Sequence, residues 1–194
     1  PSVTPGILKL RYGTFKTKKI KGTGTEIIKL PKGATRGLVT LVAKGEGKVK
    51  VQMLKKSKKP QGPAVVAKQP LPYKGTSLYG FEKNQFDTTY LKITAPKDAR
   101  WSLSIKPLHK TPALKKTQKG KGDAVFRVTT KKAKSWKLRF KAAQKSRFKV
   151  KAYGLILAQE LVSKKTKKFS GKSRVEAFSG FVVVTSQGTW SIKR

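Results

Sequence analysis

Side chains able to do covalent or acid–base chemistry are scarce in this chain of 194 residues, and they are scattered. There is one histidine, His109, and no cysteine; the eight carboxylates, Glu26, Glu46, Glu82, Asp87, Asp98, Asp123, Glu160 and Glu176, stand singly. Catalysis needs tunable groups within hydrogen-bond reach of one another. His109, between Pro107 and Pro112, reads as a solvent-exposed linker residue, and each carboxylate as a local ion-pair partner. An oxygen-ligand metal site would need clustered carboxylates, and no Asp-x-Asp spacing occurs. Without cysteine there is no disulfide or zinc-thiolate site. Gly22-Thr23-Gly24 and Gly120-Lys121-Gly122 could cradle a phosphate, but neither continues into Gly-Lys-Ser/Thr or opens a helix, so both read as turn glycines. The expectation is a protein with no catalytic residue, no metal and no cofactor.

What the chain has in abundance is lysine. Lys and Arg number 47 against 8 Asp and Glu, a net charge of +39. The excess is even: residues 1–108 carry 23 cations against 5 carboxylates, and residues 109–194 carry 24 against 3. A small soluble domain needs a net charge of only about 2 to 8. Eight of the 47 cations are Arg, and lysine, a hydrated point charge without a planar fork, favours unspecific attraction to polyanions over base reading. Runs occur at Lys16–Lys19, Lys55, Lys56, Lys58 and Lys59, Lys115-Lys116, Lys131, Lys132 and Lys134, and Lys164, Lys165, Lys167 and Lys168. All read as loops or turns.

The elements that would position these charges are strands. In 135–141, Trp136, Leu138 and Phe140 alternate with Lys137, Arg139 and Lys141; in 147–153, Phe148, Val150 and Ala152 alternate with Arg147, Lys149 and Lys151. A period of two puts apolar and cationic residues on opposite faces of a strand. The two segments, separated by 142–146, predict an antiparallel hairpin, apolar on one side and a lattice of positive charge on the other. Further strands are expected at 25–30, at 38–43 and 48–54 as a second hairpin about Lys44-Gly45-Glu46-Gly47, at 64–67, at 90–94 and at 101–105, with a short strand near Ile7–Tyr12. A hydrophobic content of 37% in such segments argues for folded sheets rather than disorder. No apolar run approaches the roughly 18 to 20 residues that span a bilayer.

The second half repeats the first in order. Lys21–Leu30 matches Lys119–Val128, with Ile27 and Ile28 over Val125 and Phe126. Val39 and Leu41 fall on Leu138 and Phe140, Val49 and Val51 on Phe148 and Val150, and Tyr73-Lys74-Gly75 on Phe169-Ser170-Gly171. Leu91–Thr94 lies over Val182–Thr185, and Trp101-Ser102-Leu103 over Trp190-Ser191-Ile192. Two copies of one β domain are implied. The predicted fold is all-β, two tandem antiparallel β-sandwich, jelly-roll-like domains at 1–108, including a lead-in, and 109–194. Trp101 and Trp190 are expected to anchor the two cores.

The Gly-x-Gly, the apolar strand that follows, the aromatic-x-Gly and the closing Trp-Ser-Leu-Ser-Ile-Lys-Pro-Leu resemble a repeated β-sandwich domain of secreted and envelope-attached actinobacterial proteins. The resemblance covers both halves. It implies the sandwich fold and export to a secreted or cell-surface location, with a virion or the cytoplasm as the other compartments the sequence leaves open, and it brings no enzymatic mechanism. The lysine load sets this chain apart from that pattern.

The functional expectation is a non-enzymatic polycation whose loop lysines and strand faces engage polyanions, either DNA or RNA or anionic envelope polymers such as teichoic-acid-like chains and acidic polysaccharides. The other readings are a component of a large assembly (capsid, fibre or surface layer) docked on an acidic protein surface, an antibacterial envelope-binding toxin, and artificial supercharging. Because Thr40 and Val42 stand where the second copy has charges, the second domain is expected to bind more strongly.

Overall fold

In the first half, short alternating segments separated by glycine and proline become short strands. The structure is a computed structural model and describes residues 3–83, 85, 87–155 and 157–194. The chain divides into two units, Leu8–Lys110, and Thr111–Arg194 together with residues 3–7. Residues 3–7 thus leave the half to which the sequence assigned them. Val3 is buried in the second unit, where its N–H donates to Thr129 Oγ1 at 2.7 Å and its carbonyl accepts from Arg127 Nη1 at 3.1 Å.

The unit Leu8–Lys110 contains β1 (Lys18–Thr23), β2 (Glu26–Lys29), β3 (Gly37–Lys44), β4 (Lys48–Leu54), β5 (Val66–Pro70), β6 (Tyr73–Tyr79), β7 (Tyr90–Thr94) and β8 (Arg100–Lys106). They form two antiparallel sheets of order β1-β8-β3-β6 and β2-β7-β4-β5, which is the strand order of a jelly roll. Val39, Leu41, Trp101 and Leu103 from one sheet meet Val49, Val51, Leu91 and Ile93 from the other in one buried core. The expected hairpin of 38–43 with 48–54 does not form. β3 and β4 lie in different sheets, and Gly45 and Gly47, with φ of 129° and 104°, carry the chain across the sandwich edge. A side chain at 47 would press on Pro96 Cγ at 2.7 Å.

The second unit contains β9 (Thr117–Lys121), β10 (Ala124–Thr130), β11 (Lys134–Gly154), β12 (Ala158–Val175), β13 (Phe178–Ser186) and β14 (Thr189–Lys193). The expected hairpin of 135–141 with 147–153 is one continuous strand, β11. Its first part pairs with β14 and its last part with β13, while β12 follows it throughout. β11 therefore replaces both β3 and β4, and β12 replaces β5 and β6. The reason lies in the breakers. The first copy has Gly45, Gly47, Pro70 and Pro72 at the crossings, whereas 142–146 and 164–168 hold neither glycine nor proline, so the ladder continues. The crossing is taken up by a register shift between Lys141 and Ser146.

The repeat holds in three dimensions with one correction. Leu41 pairs with Leu103 and Gly75, and Leu138 pairs with the matching Ile192 and Gly171. Leu41 therefore corresponds to Leu138 and Ala43 to Phe140, two residues from the sequence match. A slip of two preserves the buried face, so alternation could not detect it.

The two Gly-x-Gly motifs and the two tryptophans form one device. Gly22 pairs with Trp101 and Gly120 with Trp190, and a Cβ on either glycine would enter the indole ring. Gly24 and Gly122 have φ of 62° and 76°, and their carbonyls accept the Trp101 and Trp190 Nε1–H at 3.0 and 2.9 Å. The turn glycines are sockets for the core tryptophans.

The strand expected near Ile7–Tyr12 is a helix, α1 (Pro5–Tyr12). Thr4 Oγ1 accepts from the Ile7 N–H, Pro5 opens the first turn, and Gly13, φ 72°, closes the last by donating to the Lys9 carbonyl. These end signals outweigh a short apolar alternation.

Candidate polyanion-binding surface

Alternation along β11 places the cations as expected. Trp136, Leu138, Phe140, Phe148, Val150 and Ala152 are buried; Arg139, Lys141 and Arg147 are exposed, and Lys137, Lys149 and Lys151 half-buried. Their grouping differs from the expectation. The Phe140 and Phe148 rings stack with centroids 4.7 Å apart, whereas eight residues of straight strand would span about 26 Å. β11 thus doubles over the core. Because both parts turn their apolar residues inward, Lys137, Arg139 and Lys141 point out of one side of the sandwich and Arg147, Lys149 and Lys151 out of the other.

The first of these faces is the more strongly cationic. Lys137 stands between Lys172 on β12 and Lys193 on β14. Arg139 stands between Ser170 and Ser191, with Lys119 beyond on β9. Lys141 stands between Lys168 and Thr189, with Lys121 beyond. These eight cations share one sheet surface with hydroxyl side chains and, among the described residues, no carboxylate. Strand spacing is about 4.8 Å, and same-face residues along a strand repeat every ~6.8 Å. An open depression of about 700 Å³ on this face is lined by Lys119, Arg139, Lys141, Lys168, Thr189 and Ser191 among others. Lys119, Lys121, Lys172 and Lys193 do not stand out in the sequence, since finding them requires the pairing register.

On the opposite face charge is diluted. Arg147 lies across from Lys165 and donates to Ser163 Oγ at 3.1 Å; Lys149 approaches Glu160 at 3.7 Å; Lys151 lies 4.8 Å over the Tyr153 ring.

Of the expected loop clusters, Lys55, Lys56, Lys58 and Lys59 do form a turn, with Lys58 at φ 65° and its Nζ 5.8 Å over the Tyr90 ring. Lys131 and Lys132 occupy the β10–β11 turn. Lys164, Lys165, Lys167 and Lys168 are not a loop. They lie within β12, where Lys168 joins the cationic face, Lys165 the opposite one, and Lys164 and Lys167 flank the bend. β12 pairs with β11 alone, and lysines on such an edge also block strand addition by another chain.

The remaining polar residues serve the fold. Glu26 Oε2 accepts from the Thr23 N–H at 3.1 Å and Asp123 Oδ1 from the Ser186 N–H at 2.8 Å, while Glu176 meets Arg174 at 3.3 Å. His109 is half-buried in a single 3-10 turn, its Nε2 2.9 Å from Thr14 Oγ1. Its pKa is lowered by desolvation first and then by Lys9 and Lys110. Among the described residues no three His, Asp or Glu gather as metal ligands, and no helix is long and apolar enough to cross a membrane.

Both units are jelly rolls built from one repeated pattern, the second with its crossings fused. No protein-family model matches the chain, and no curated protein matches it. Among solved structures it is similar to a conserved protein of unknown function from Pseudomonas aeruginosa PAO1 (10% identity, 92% of this chain and 78% of that one, TM-score 0.31). It is also similar to an allantoicase (14%, 87% and 76%, TM-score 0.29) and to A223, a turret protein of Sulfolobus turreted icosahedral virus (12%, 92% and 96%, TM-score 0.27). At these scores the fold assignment rests on the strand order itself.

Proposed function

We propose that this is a non-enzymatic polyanion-binding protein, and that its principal binding surface is the β9-β14-β11-β12 face of the second unit. The observation that supports this reading is the set of eight cations, Lys119, Lys121, Lys137, Arg139, Lys141, Lys168, Lys172 and Lys193, on one sheet face without a carboxylate among them. Such crowding opposes folding and is relieved when a polyanion replaces the condensed counterions of the surface. The positions between the cations are Thr117, Ser170, Thr189 and Ser191, whose hydroxyls can donate to phosphate oxygens. Of the aromatic rings that line the depression on this face, Phe140 and Trp190 are buried and Phe169 is half-buried, which leaves little ring surface for base stacking and favours recognition of the ligand by its charged backbone. An anionic envelope polymer fits the exported location that the sequence resemblance implies.

The test is binding to a poly(glycerol phosphate) chain and to a mixed-sequence DNA duplex over a range of salt. Affinity should fall steeply with salt for both, with a log–log slope of about −0.9 per phosphate contacted on the duplex, and should not depend on DNA sequence. Affinity that barely changes with salt would sink the reading.

A further inference from the structure

The β11–β12 turn breaks the rule that governs the rest of this surface. Tyr153 pairs with Ala158, and the Gly154 N–H donates to the Leu157 carbonyl at 2.8 Å, closing a tight hairpin. Such turns ordinarily take Asn-Gly or Asp-Gly. Here Leu155 and Leu157 stand at the tip, 59% and 77% exposed. The matching turn of the first copy follows Leu54 with Lys55, Lys56, Lys58 and Lys59, so two leucines occupy the place of a lysine cluster. A local rule broken without gain to the fold marks a functional position.

The same end of the unit is cationic. Gly154 pairs with Gly180 and Thr130 with Phe178, which brings the β10–β11 turn, with exposed Lys131 and Lys132, two strands from the leucines, about 10 Å across the sheet. Gln159, next to the tip, accepts from the Glu176 N–H at 3.1 Å and donates to the Arg174 carbonyl at 2.7 Å, and Thr130 Oγ1 donates to the Glu176 carbonyl. Beside these residues an open depression of about 660 Å³ is lined by Lys116, Lys131, Lys132, Lys134 and Arg194, with Thr129 and Thr130. The carboxylates at this end are already engaged, Glu160 by Lys149 and Glu176 by Arg174.

We infer that this end of the second unit docks on an anionic lipid bilayer, with Leu155 and Leu157 entering the acyl boundary while Lys116, Lys131, Lys132 and Lys134 receive lipid phosphates. A bilayer suits this arrangement because it offers an apolar layer directly beneath a sheet of negative charge; a soluble polyanion has no use for the leucines, and a neutral apolar partner has none for the lysines. The surface adjoins the end of the face proposed above for polymers, since Lys116, Lys134 and Arg194 stand at the ends of β9, β11 and β14, and what sets it apart is the pair of leucines.

The experiment uses the whole chain and flotation with vesicles of equal parts phosphatidylcholine and phosphatidylglycerol. The wild-type protein should bind, and should bind phosphatidylcholine vesicles weakly. L155D/L157D should lose about thirtyfold or more of the vesicle affinity while keeping its thermal midpoint, because both side chains are exposed, and its affinity for poly(glycerol phosphate). In a second variant, L157W, emission should shift to the blue on these vesicles and be quenched by brominated acyl chains. Failure of the wild-type protein to float, equal flotation of L155D/L157D, or unshifted L157W emission would each overturn the inference. Equal flotation of L155D/L157D would leave the polymer reading standing, with the vesicle as one more polyanion.

Discussion

Phe140 and Phe148 belong to the same strand, yet their rings lie face to face at 4.7 Å with planes 8° apart. The stack fixes the fold of β11 over the core, and Phe148 also touches Phe169 at 6.1 Å. F148A should lower stability by about 3–5 kcal/mol, the range for deleting a buried aromatic ring. Urea denaturation followed by tryptophan fluorescence checks it, and a loss below about 1 kcal/mol would mean that the bend holds without the stack.

The doubling of β11 separates two triplets that one hairpin face would have joined. K137Q/R139Q/K141Q should weaken duplex or poly(glycerol phosphate) binding and reduce the salt slope on the duplex by about 0.9 for each phosphate no longer neutralised. R147Q/K149Q/K151Q should do less, because Lys149 already faces Glu160. Equal losses from the two triplets would show that both sides of the sandwich bind.

Binding and stability should move in opposite directions at Lys137. It lies between Lys172 and Lys193, and like charges directly opposite one another in a sheet cost a few tenths to about 1 kcal/mol. K137Q should therefore raise the denaturation midpoint at low salt while lowering polyanion affinity, and the gain should fade as salt is added. A lowered midpoint would assign Lys137 a structural role.

The tryptophan sockets admit no side chain. G120A places a methyl group inside the Trp190 ring and strains the Nε1–H bond to Gly122. We expect a loss of about 1–3 kcal/mol from overpacking, and a similar loss for G22A against Trp101, read as shifts in the urea midpoint. Neutral behaviour of both would show that the sheets part to accommodate the methyl group.

His109 gives a weak pH dependence with a definite sign. Its pKa falls below the ordinary 6.5 in the folded chain, so below that value the unfolded chain binds a proton that the folded one resists. Stability is greatest above pH ~6.5 and declines as pH falls through and below it. Urea midpoints at about pH 5.5 and 7.5 should differ in the wild-type protein and converge in H109Q; a midpoint that rises on acidification would reverse the sign.

Fold class, repeat and the inward set of each strand are legible because they depend on a period of two, which the sequence carries directly in Trp136, Leu138 and Phe140. Strand pairing is not. Alternation through 135–153 is the same for a hairpin and for a bent strand, and what separates them is the missing breaker at 142–146, a weaker signal than the charge pattern around it. The cationic face is half visible for the same reason: Lys137, Arg139, Lys141 and Lys168 stand out locally, whereas Lys119, Lys121, Lys172 and Lys193 arrive through strands distant in sequence. Leu155 and Leu157 give no signal in the sequence, because exposure at a turn is a property of the folded chain.

In the first unit the two sheets are joined by loops, among them the crossing at Gly45 and Gly47. In the second, β11 and β12 each run through both sheets. The second unit therefore joins its two cationic sides through the strand backbone of β11 and β12 themselves, where its twin joins its sheets through loop backbone.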